Sequence, residues 1–392
     1  MTSNPRTLAP FLAICLVGFG TLFSSYLRLP VMPLYAASLG AGPAAVGMIN
    51  GAFMLSAGLL SIPAGLLADR VGRKLPIVVG VLATALSSLL VTQCRQPGEM
   101  VAAYALFGVG LAAFTPAMLS LVADITPGER LGQAYGWYTT AVYIAMTLGP
   151  ATGGLLAGQF GLRAVFFVSA ALLLGMVLLA ALLLPTGGTR HRSDLHGVLA
   201  ASALLLRERG LLACLVATVG SCVGFGVFLT FLPLHAAAAG HDPTRVGMIF
   251  AAQALTNVVV RIPLGRMADR IDRRRLVAAG LLCLGLALPA LGLATSFAAL
   301  LGGTILLGVG MALTYTAIGA LIAELAPALL RGLAMGMYNS CIFLGMMVGS
   351  TVLGLALKQI GYPLGFALAG GVALVSLFGF WQLMRGGLRT GI

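Results

Sequence analysis

Charged side chains are scarce in this sequence: 8% of the 392 residues are Asp, Glu, Lys or Arg, whereas 59% are hydrophobic. A water-soluble domain carries about 25% charged residues, so the composition excludes a soluble globular protein. Uncharged runs such as 164–184 and 277–293 are long enough, as helices, to cross a hydrocarbon layer of ~30 Å. The chain is predicted to be an integral membrane protein.

The sequence has few cysteines and no enzyme signature. The six cysteines are scattered, nearly all within apolar runs, and none forms a CxxC pair. Small packing residues are therefore expected, not a disulfide framework or a metal site. The motifs H-E-x-x-H, G-x-S-x-G and G-x4-G-K-[ST] do not occur, which argues against an enzyme. We expect no cofactor, and any transport would draw on a gradient rather than on ATP hydrolysed by this chain.

Long apolar runs are what the sequence has in abundance. Twelve runs of about 20 residues alternate with polar breaks and predict twelve transmembrane segments. They must be helical, because lipid offers the backbone no hydrogen-bond partner. No cleaved signal peptide is evident, since the first run exceeds the ~7–15-residue core of such a peptide. The spans lie near 10–34, 44–67, 75–94, 100–123, 133–156, 163–184, 210–235, 245–268, 275–294, 298–322, 332–357 and 362–384.

The net charge of +13 is explained by topology. Of the 23 lysines and arginines, two lie inside spans, 17 lie on one set of loops and four lie on the opposite set. Positive charge marks the cytoplasmic side of a membrane protein, so both termini are predicted to be cytoplasmic. The basic balance therefore does not indicate nucleic-acid binding. The four positions on the less basic side are Arg95, Arg163, Arg245 and Lys358.

A phrase of the first half returns in the second. "SIPAGLLADRVGRK" at 61–74 is answered by "RIPLGRMADRIDRR" at 261–274, and "VGMI" at 46–49 recurs at 246–249. The constant offset of 200 residues predicts two homologous six-helix halves in parallel orientation. Such halves place a substrate site between them near the midplane. The predicted organisation is an amino-terminal half at 1–184, a cytoplasmic linker at 185–209 and a carboxy-terminal half at 210–392.

The segment "GLLADRVGRK" at 65–74 resembles the signature of the second loop in the major facilitator superfamily, G-x-x-x-D-R-x-G-R-K. A weaker copy falls at 265–274, where that family repeats it, with Asp272 replacing the second glycine. The resemblance implies an all-α membrane fold of twelve transmembrane helices in two pseudo-symmetric six-helix bundles. It also implies alternating access, with closest likeness to the twelve-helix drug and metabolite antiporters.

The duplicated loop is expected to act as a gate. By the resemblance, Asp69 faces the start of span 11 near Arg331, where the helix dipole favours a negative charge, and Asp269 faces the start of span 5. Gly65 and Gly265 let a neighbouring helix approach closely. Arg73 is interpreted mainly as a topological anchor. The predicted gating and coupling residues are Gly65, Asp69, Arg70, Arg73, Asp124, Arg130, Gly149, Pro150, Gly153, Gly154, Gly265, Asp269 and Arg270.

Span 5 contains a second signature, "GWYTTAVYIAMTLGPATGG" at 136–154. It resembles the antiporter pattern G-x8-G-x3-G-P-x2-G-G, with Ala145 in place of the second glycine. Pro150 frees a backbone carbonyl and predicts a kink. Gly149, Gly153 and Gly154 predict a smooth surface for close helix packing. The alternative is the general abundance of glycine and proline in membrane helices.

None of the ten acidic residues lies near the middle of a span. Drug–proton antiporters of the family often carry an acid in span 1, and this sequence departs from that pattern. Any proton step is therefore expected to run through groups near the cytoplasmic ends, with Asp69 and Asp124 as candidates.

Two arginines lie inside spans instead. Arg28 belongs to a polar face of span 1, and Arg261 ends a stripe with Gln253 and Asn257 on one face of span 8. An intramembrane charge is a functional hypothesis by default, and a guanidinium fork suits an anionic group. The alternative for both arginines is snorkelling toward the interface. The predicted substrate-binding residues are Arg28, Gln253, Asn257, Arg261, Tyr143, Tyr315 and Asn339, the last three on spans that line the family's central cavity.

Together these patterns predict a secondary active transporter of the bacterial inner membrane, working by alternating access as an efflux antiporter for drug-like or metabolite compounds. The alternative is an uptake or exchange carrier for an organic anion, a carboxylate or phosphate ester, recognised by Arg28 and Arg261. The expected partners are a small-molecule substrate, the lipid bilayer and, as candidate coupling ion, protons. No nucleic-acid partner is expected, and the chain is expected to be a monomer.

Overall fold

The computed structural model describes residues 5–185, 195–267, 271–327 and 330–387, and in this part of the chain the regular secondary structure is helical. A short 3₁₀ turn at Gly128–Arg130 precedes α6. The helices are α1 (Pro5–Leu27), α2 (Val31–Ser38), α3 (Pro43–Val71), α4 (Lys74–Gln93), α5 (Pro97–Ile125), α6 (Leu131–Phe160), α7 (Leu162–Leu183), α8 (Leu195–Arg207), α9 (Arg209–Ala238), α10 (Pro243–Met267), α11 (Arg273–Leu293), α12 (Phe297–Leu325) and α13 (Arg331–Gly387).

Twelve membrane crossings follow from these helices. Ten helical segments of the described chain are long and apolar enough to span a membrane. One of them, α13, has 57 residues and is broken at Gly361 (φ 74°), so it crosses twice. Helix α10, with 25 residues, adds the remaining crossing. The predicted fold class is therefore confirmed, with α1 and α2 together making the first span.

The predicted linker contains structure of its own. Helix α8 occupies Leu195–Arg207 and packs against α9 and α13. The stretch 186–194 lies outside the described residues.

The repeat of the sequence is also a repeat of the backbone. Helices α3 and α10 begin at Pro43 and Pro243, 200 residues apart, and α5 and α12 end at the same offset. Gly40 and Gly240 both have φ +86°, a conformation that glycine adopts without steric cost. The turn before the third helix of the chain and its counterpart in the second half are therefore built in the same way.

The two halves meet through two long helix pairs, α3 with α13 and α6 with α10. We call the side with the α3–α4 loop the basic face, and the side with residues 39–42 and 239–242 the opposite face. At the opposite face the halves are in close contact. A Cβ at Gly154 would lie 2.7 Å from Cα of Gly247, so glycine permits the backbones of α6 and α10 to touch.

Hydrogen bonds also join the halves near the opposite face. Asn50 of α3 donates to the Thr230 hydroxyl of α9 at 3.1 Å. Thr230 and the Ser350 hydroxyl of α13 lie 2.7 Å apart. All three side chains are buried, where a hydrogen bond is worth more than in water.

The basic face lacks such contacts in this conformation. Positions where a Cβ would meet no other described atom within 4 Å include Gly132 and Gly136 of α6 and Gly332 of α13. Helices α3 and α13 remain in touch as far as Ser340, which donates to the Gly58 carbonyl at 3.1 Å. The halves are therefore closed at the opposite face and parted at the basic face.

Candidate functional site

A central cavity of about 250 Å³ lies between the two halves. Its walls come from helices of both halves, as two parallel bundles with a site between them require. The lining residues are Leu22, Tyr26, Leu29, Phe53, Phe107, Leu111, Thr115, Val142, Met146, Pro150, Phe225, Leu229, Phe250, Gln253, Ala254, Phe343 and Met346.

Aromatic rings dominate the cavity wall. Phe53 and Phe107 stack with centroids 4.6 Å apart, and Phe53 meets Phe343 of the other half edge to face at 6.1 Å. The polar side chains of the lining are those of Tyr26, Thr115 and Gln253, and none of the lining residues is charged. Such a surface suits a hydrophobic, aromatic or aliphatic ligand with little charge.

Arg261 and two of the predicted tyrosines are brought into one cluster. The Arg261 guanidinium donates a hydrogen bond to the Tyr143 hydroxyl and lies 5.2 Å from the centroid of that ring. It is also close enough to Tyr315 and Tyr338 to interact electrostatically with their hydroxyls. Tyr315 and Tyr338 meet edge to face at 6.5 Å. Four helices, α6, α10, α12 and α13, therefore converge on one guanidinium.

Arg261 lies in a groove outside the central cavity. The groove, about 580 Å³ in volume, runs between α6 and α10. Gln253 of the same predicted stripe lines the central cavity instead, while Asn257 and Asn339 are half-buried. The groove is lined by Gly136, Thr139, Thr140, Tyr143, Ile144, Thr147, Leu148, Leu255, Val258 and Arg261.

Arg28 is held elsewhere, inside the amino-terminal half. Its side chain is fully buried and donates to the hydroxyls of Ser88 at 2.8 Å and Ser87 at 3.3 Å, both on α4. The guanidinium carbon lies 3.6 Å from the centroid of the Phe107 ring, a cation–π arrangement. Its Nε and one terminal nitrogen have no hydrogen-bond partner among the described residues. Arg28 and Arg261 do not share a site.

At the basic face, Arg73 joins two acidic residues. It pairs with Asp69 one helical turn away, and its Nε donates to Asp124 of α5 at 3.0 Å. Burial lowers the pKa of Arg73, but hydrogen bonds and charges from Asp69 and Asp124 outweigh burial and raise that pKa above its usual value. Arg73 is thus more than a topological anchor, since it fastens the α3–α4 loop to α5.

The second half repeats this ion pair. Arg273 pairs with Glu324 of α12, each 200 residues from its counterpart in the Arg73–Asp124 pair. Asp269 and Arg270 lie outside the described residues, and Gly265 lies within α10.

The expected contact of Asp69 with the start of span 11 is not formed in this conformation, because the described atoms leave Gly332 open. Arg70 and Arg130 are exposed at the basic face. The gating role of these residues remains a prediction.

The span 5 glycines serve two different neighbours. Gly149 and Gly153 receive α1, since a Cβ at Gly153 would lie 1.9 Å from the Leu27 carbonyl oxygen. Gly154 receives α10 of the other half, and Pro150, which lines the cavity, lies within the same continuous helix. The signature therefore seats one helix inside its own half and one across the interface.

Sequence reasoning missed part of the site. Tyr338, Phe107 and Phe343 carried no signal in a chain rich in aromatic and apolar residues, because nothing in a helical period tells a cavity face from a lipid face. The Arg73–Asp124 pair could have been found from the repeat, since Asp124 and Glu324 share the 200-residue offset with Arg73 and Arg273.

Two six-helix bundles, a cavity between them and one open face define a membrane transporter for small molecules. The chain belongs to the Major Facilitator Superfamily, whose family profile matches residues 14–240 and 214–387. Since proteins of this family are transporters and not enzymes, the predictions of family and of a non-enzymatic role are confirmed.

Similar proteins point to the same family. The chain is 30% identical over 274 residues to multidrug resistance protein MdtG of Salmonella typhimurium, covering 67% of each chain. It is 28% identical to the inner membrane transport protein YajR of Escherichia coli, covering 86% of this chain and 75% of that protein. A solved bacterial homologue of the human lysosomal transporter Spinster, in an inward-facing and occupied conformation, matches with TM-score 0.83 and 15% identity, covering 99% and 98% of the two chains.

Proposed function

We propose that this transporter exports lipophilic, weakly charged drug-like or metabolite compounds by alternating access, as an antiporter. The observation that carries the proposal is the central cavity, whose lining comes from both halves, is largely aromatic and aliphatic, and includes no charged residue. A hydrophobic wall gains free energy from burying apolar ligand surface and requires no ion pair.

The proposed location is the bacterial inner membrane, with the basic face in the cytoplasm. The excess of arginine and lysine on that face supports the orientation. In that orientation the described conformation is open to the cytoplasm. Export from the cytoplasm or the inner leaflet is also in keeping with MdtG, which is named for multidrug resistance, and with YajR, named as an inner membrane protein.

Transport of an organic anion is the second candidate. It requires Arg28 and Arg261 to grip one ligand, yet Arg28 is occupied by Ser87 and Ser88 within its own half, and Arg261 faces the α6–α10 groove. The tyrosine-supported guanidinium of Arg261 is the observation that favours this candidate, for a ligand bound at the groove.

Protons are the proposed coupling ion. Asp69 and Asp124 converge on Arg73 at the basic face, where a change in protonation would alter the fastening of the α3–α4 loop. If this pair carries the coupling, neutralising both acids abolishes substrate-driven proton flux. A flux that survives in the Asp69→Asn, Asp124→Asn double variant would exclude these groups as the proton path.

The export proposal is tested by efflux from drug-sensitive bacterial cells together with ligand-dependent thermal stabilisation of purified protein. The compound panel contains neutral, cationic and anionic molecules matched in size and aromatic content. We expect the neutral lipophilic members to give the largest stabilisation and the clearest efflux. Preference for the anionic members would favour the second candidate.

Substitutions in the cavity sharpen this test. Phe343→Ala removes a ring that meets Phe53 across the cavity and should weaken binding of the neutral compounds by about 1–3 kcal/mol. Phe378→Ala is the matched control, because Phe378 is 66% exposed on the outer surface of α13. Equal behaviour of the two variants would place the substrate outside this cavity.

A further inference from the structure

Two openings lie on either side of the α6–α10 contact. The central cavity is lined by Val142 and Met146 of α6, and the groove by their sequence neighbours Tyr143 and Thr147. On α10 the cavity takes Ala254 and the groove takes the next residue, Leu255. The wall between the two spaces is therefore this single helix pair.

The outer part of the groove is apolar and exposed on the lipid-facing surface. The exposed fractions are 47% for Ile144, 48% for Leu148 and 52% for Leu255. In a membrane these side chains meet hydrocarbon, so an acyl chain can lie along them with no polar group to desolvate.

The inner part of the groove carries one positive charge. A guanidinium has five N–H donors, and Arg261 uses one for the Tyr143 hydroxyl, while its Nε is buried without a hydrogen-bond partner among the described residues. None of the residues lining the groove is acidic.

The hydroxyls of the groove do not compete for a ligand as donors, because each bonds a carbonyl of its own helix. Thr139 donates to Tyr135 at 2.6 Å, Thr140 to Gly136 at 2.8 Å and Thr147 to Tyr143 at 2.9 Å. The groove thus offers hydrocarbon walls and a single unneutralised cation.

We propose that this groove binds a single-chain anionic amphiphile that enters sideways from the lipid, with its acidic headgroup on Arg261 and its chain along Ile144, Leu148 and Leu255. The groove rests on the proposed function only in that the amphiphile would be a transported compound on its way to the central cavity. A carboxylate or sulfate headgroup satisfies the unused guanidinium donors, and the tail replaces bilayer lipid at an apolar surface.

The chain carries its own reporter for a test. Trp137 follows Gly136 of the groove lining and is 59% exposed. Trp381 is the second of two tryptophans, and Trp381→Phe leaves Trp137 as the sole indole. Full-length protein in nanodiscs of zwitterionic lipid is titrated with spin-labelled stearic acid, which quenches indole fluorescence at short range. The methyl ester of the same spin-labelled chain supplies an uncharged probe.

We expect saturable quenching of Trp137 by the acid and only weak, non-saturating quenching by the ester. Arg261→Gln should raise the half-saturating concentration of the acid about tenfold or more, the effect of losing hydrogen bonds to a charged group. The matched control is Arg245→Gln on the same helix, whose side chain stacks over Phe297 away from the groove, and it should titrate as the parent protein.

Equal quenching by acid and ester, or an unchanged titration in Arg261→Gln, would overturn the proposal. Competition by unlabelled phosphatidylglycerol as effective as that by stearate would also overturn it, since the groove would then be an ordinary phospholipid site. Because no transport is measured, each of these results leaves the proposed export of neutral compounds intact, and a failure of that export leaves the titration unaffected.

Discussion

Asn50 of one half donates a hydrogen bond to Thr230 of the other at 3.1 Å, and both side chains are buried. With Ser350 completing the chain of hydroxyls, this contact ties three helices at the opposite face. Alternating access requires such contacts to break when that face opens. The bond is therefore a stabiliser of the described conformation and not of the fold in general.

Asn50→Ala should shift the population away from this conformation. A buried neutral hydrogen bond contributes about 1 kcal/mol, so the ratio of the two conformations should change about fivefold. Labelling of Gly332→Cys measures it, because the described structure leaves that position open at the basic face, and labelling should fall. Ser56→Ala, which removes hydrogen bonds within the amino-terminal half, should leave labelling unchanged. Equal labelling in all variants would refute the role of the Asn50 bond.

Gly154→Val should prevent closure at the opposite face. A Cβ there would lie 2.5 Å from the Pro243 carbonyl oxygen and 2.7 Å from Cα of Gly247, so α6 and α10 would be forced apart. We expect loss of transport and reduced labelling of Gly332→Cys. Gly175→Val, at an exposed position with no atom within 4 Å, is the control and should transport normally. Normal transport by both variants would contradict the closed contact.

Asp69→Asn should favour the conformation that is open at the basic face. Asp69 is predicted to stabilise the alternate conformation at the start of α13, where a helix dipole interacts with a carboxylate by about 0.3–1 kcal/mol. The expected result is two- to fivefold more Gly332→Cys labelling and slower transport, with Arg73 still held by Asp124. Glu99→Gln, on the other side of the membrane, is the control. Unchanged labelling together with normal transport would remove the latch role.

Arg28→Met should retain or raise the thermal unfolding temperature in detergent. A fully buried guanidinium with no acidic partner pays a desolvation cost that a flexible apolar side chain avoids. Arg28→Ala should lower stability by about 2–4 kcal/mol, because it also leaves a void beneath Phe107. If Arg28→Met is as unstable as Arg28→Ala, then the Ser87, Ser88 and ring contacts outweigh the cost of burying the charge.

The sequence by itself determined the fold class, the two halves and the family. Membrane insertion demands long uncharged helical runs, and the repeated phrase at 61–74 and 261–274 carries its register into the backbone. The basic loops follow from the same constraint, because charge is confined to positions outside the lipid. These features depend on local composition and spacing, which a single chain displays in full.

Only the tertiary structure decided which polar residues meet. Helical periodicity places Gln253 and Arg261 on one face, yet one lines the central cavity and the other the groove, because α10 crosses α6 between them. Arg28 has the same composition signal as Arg261 but turns toward α4 within its own half. The direction in which a buried side chain points depends on its neighbouring helices, and those come from distant parts of the chain.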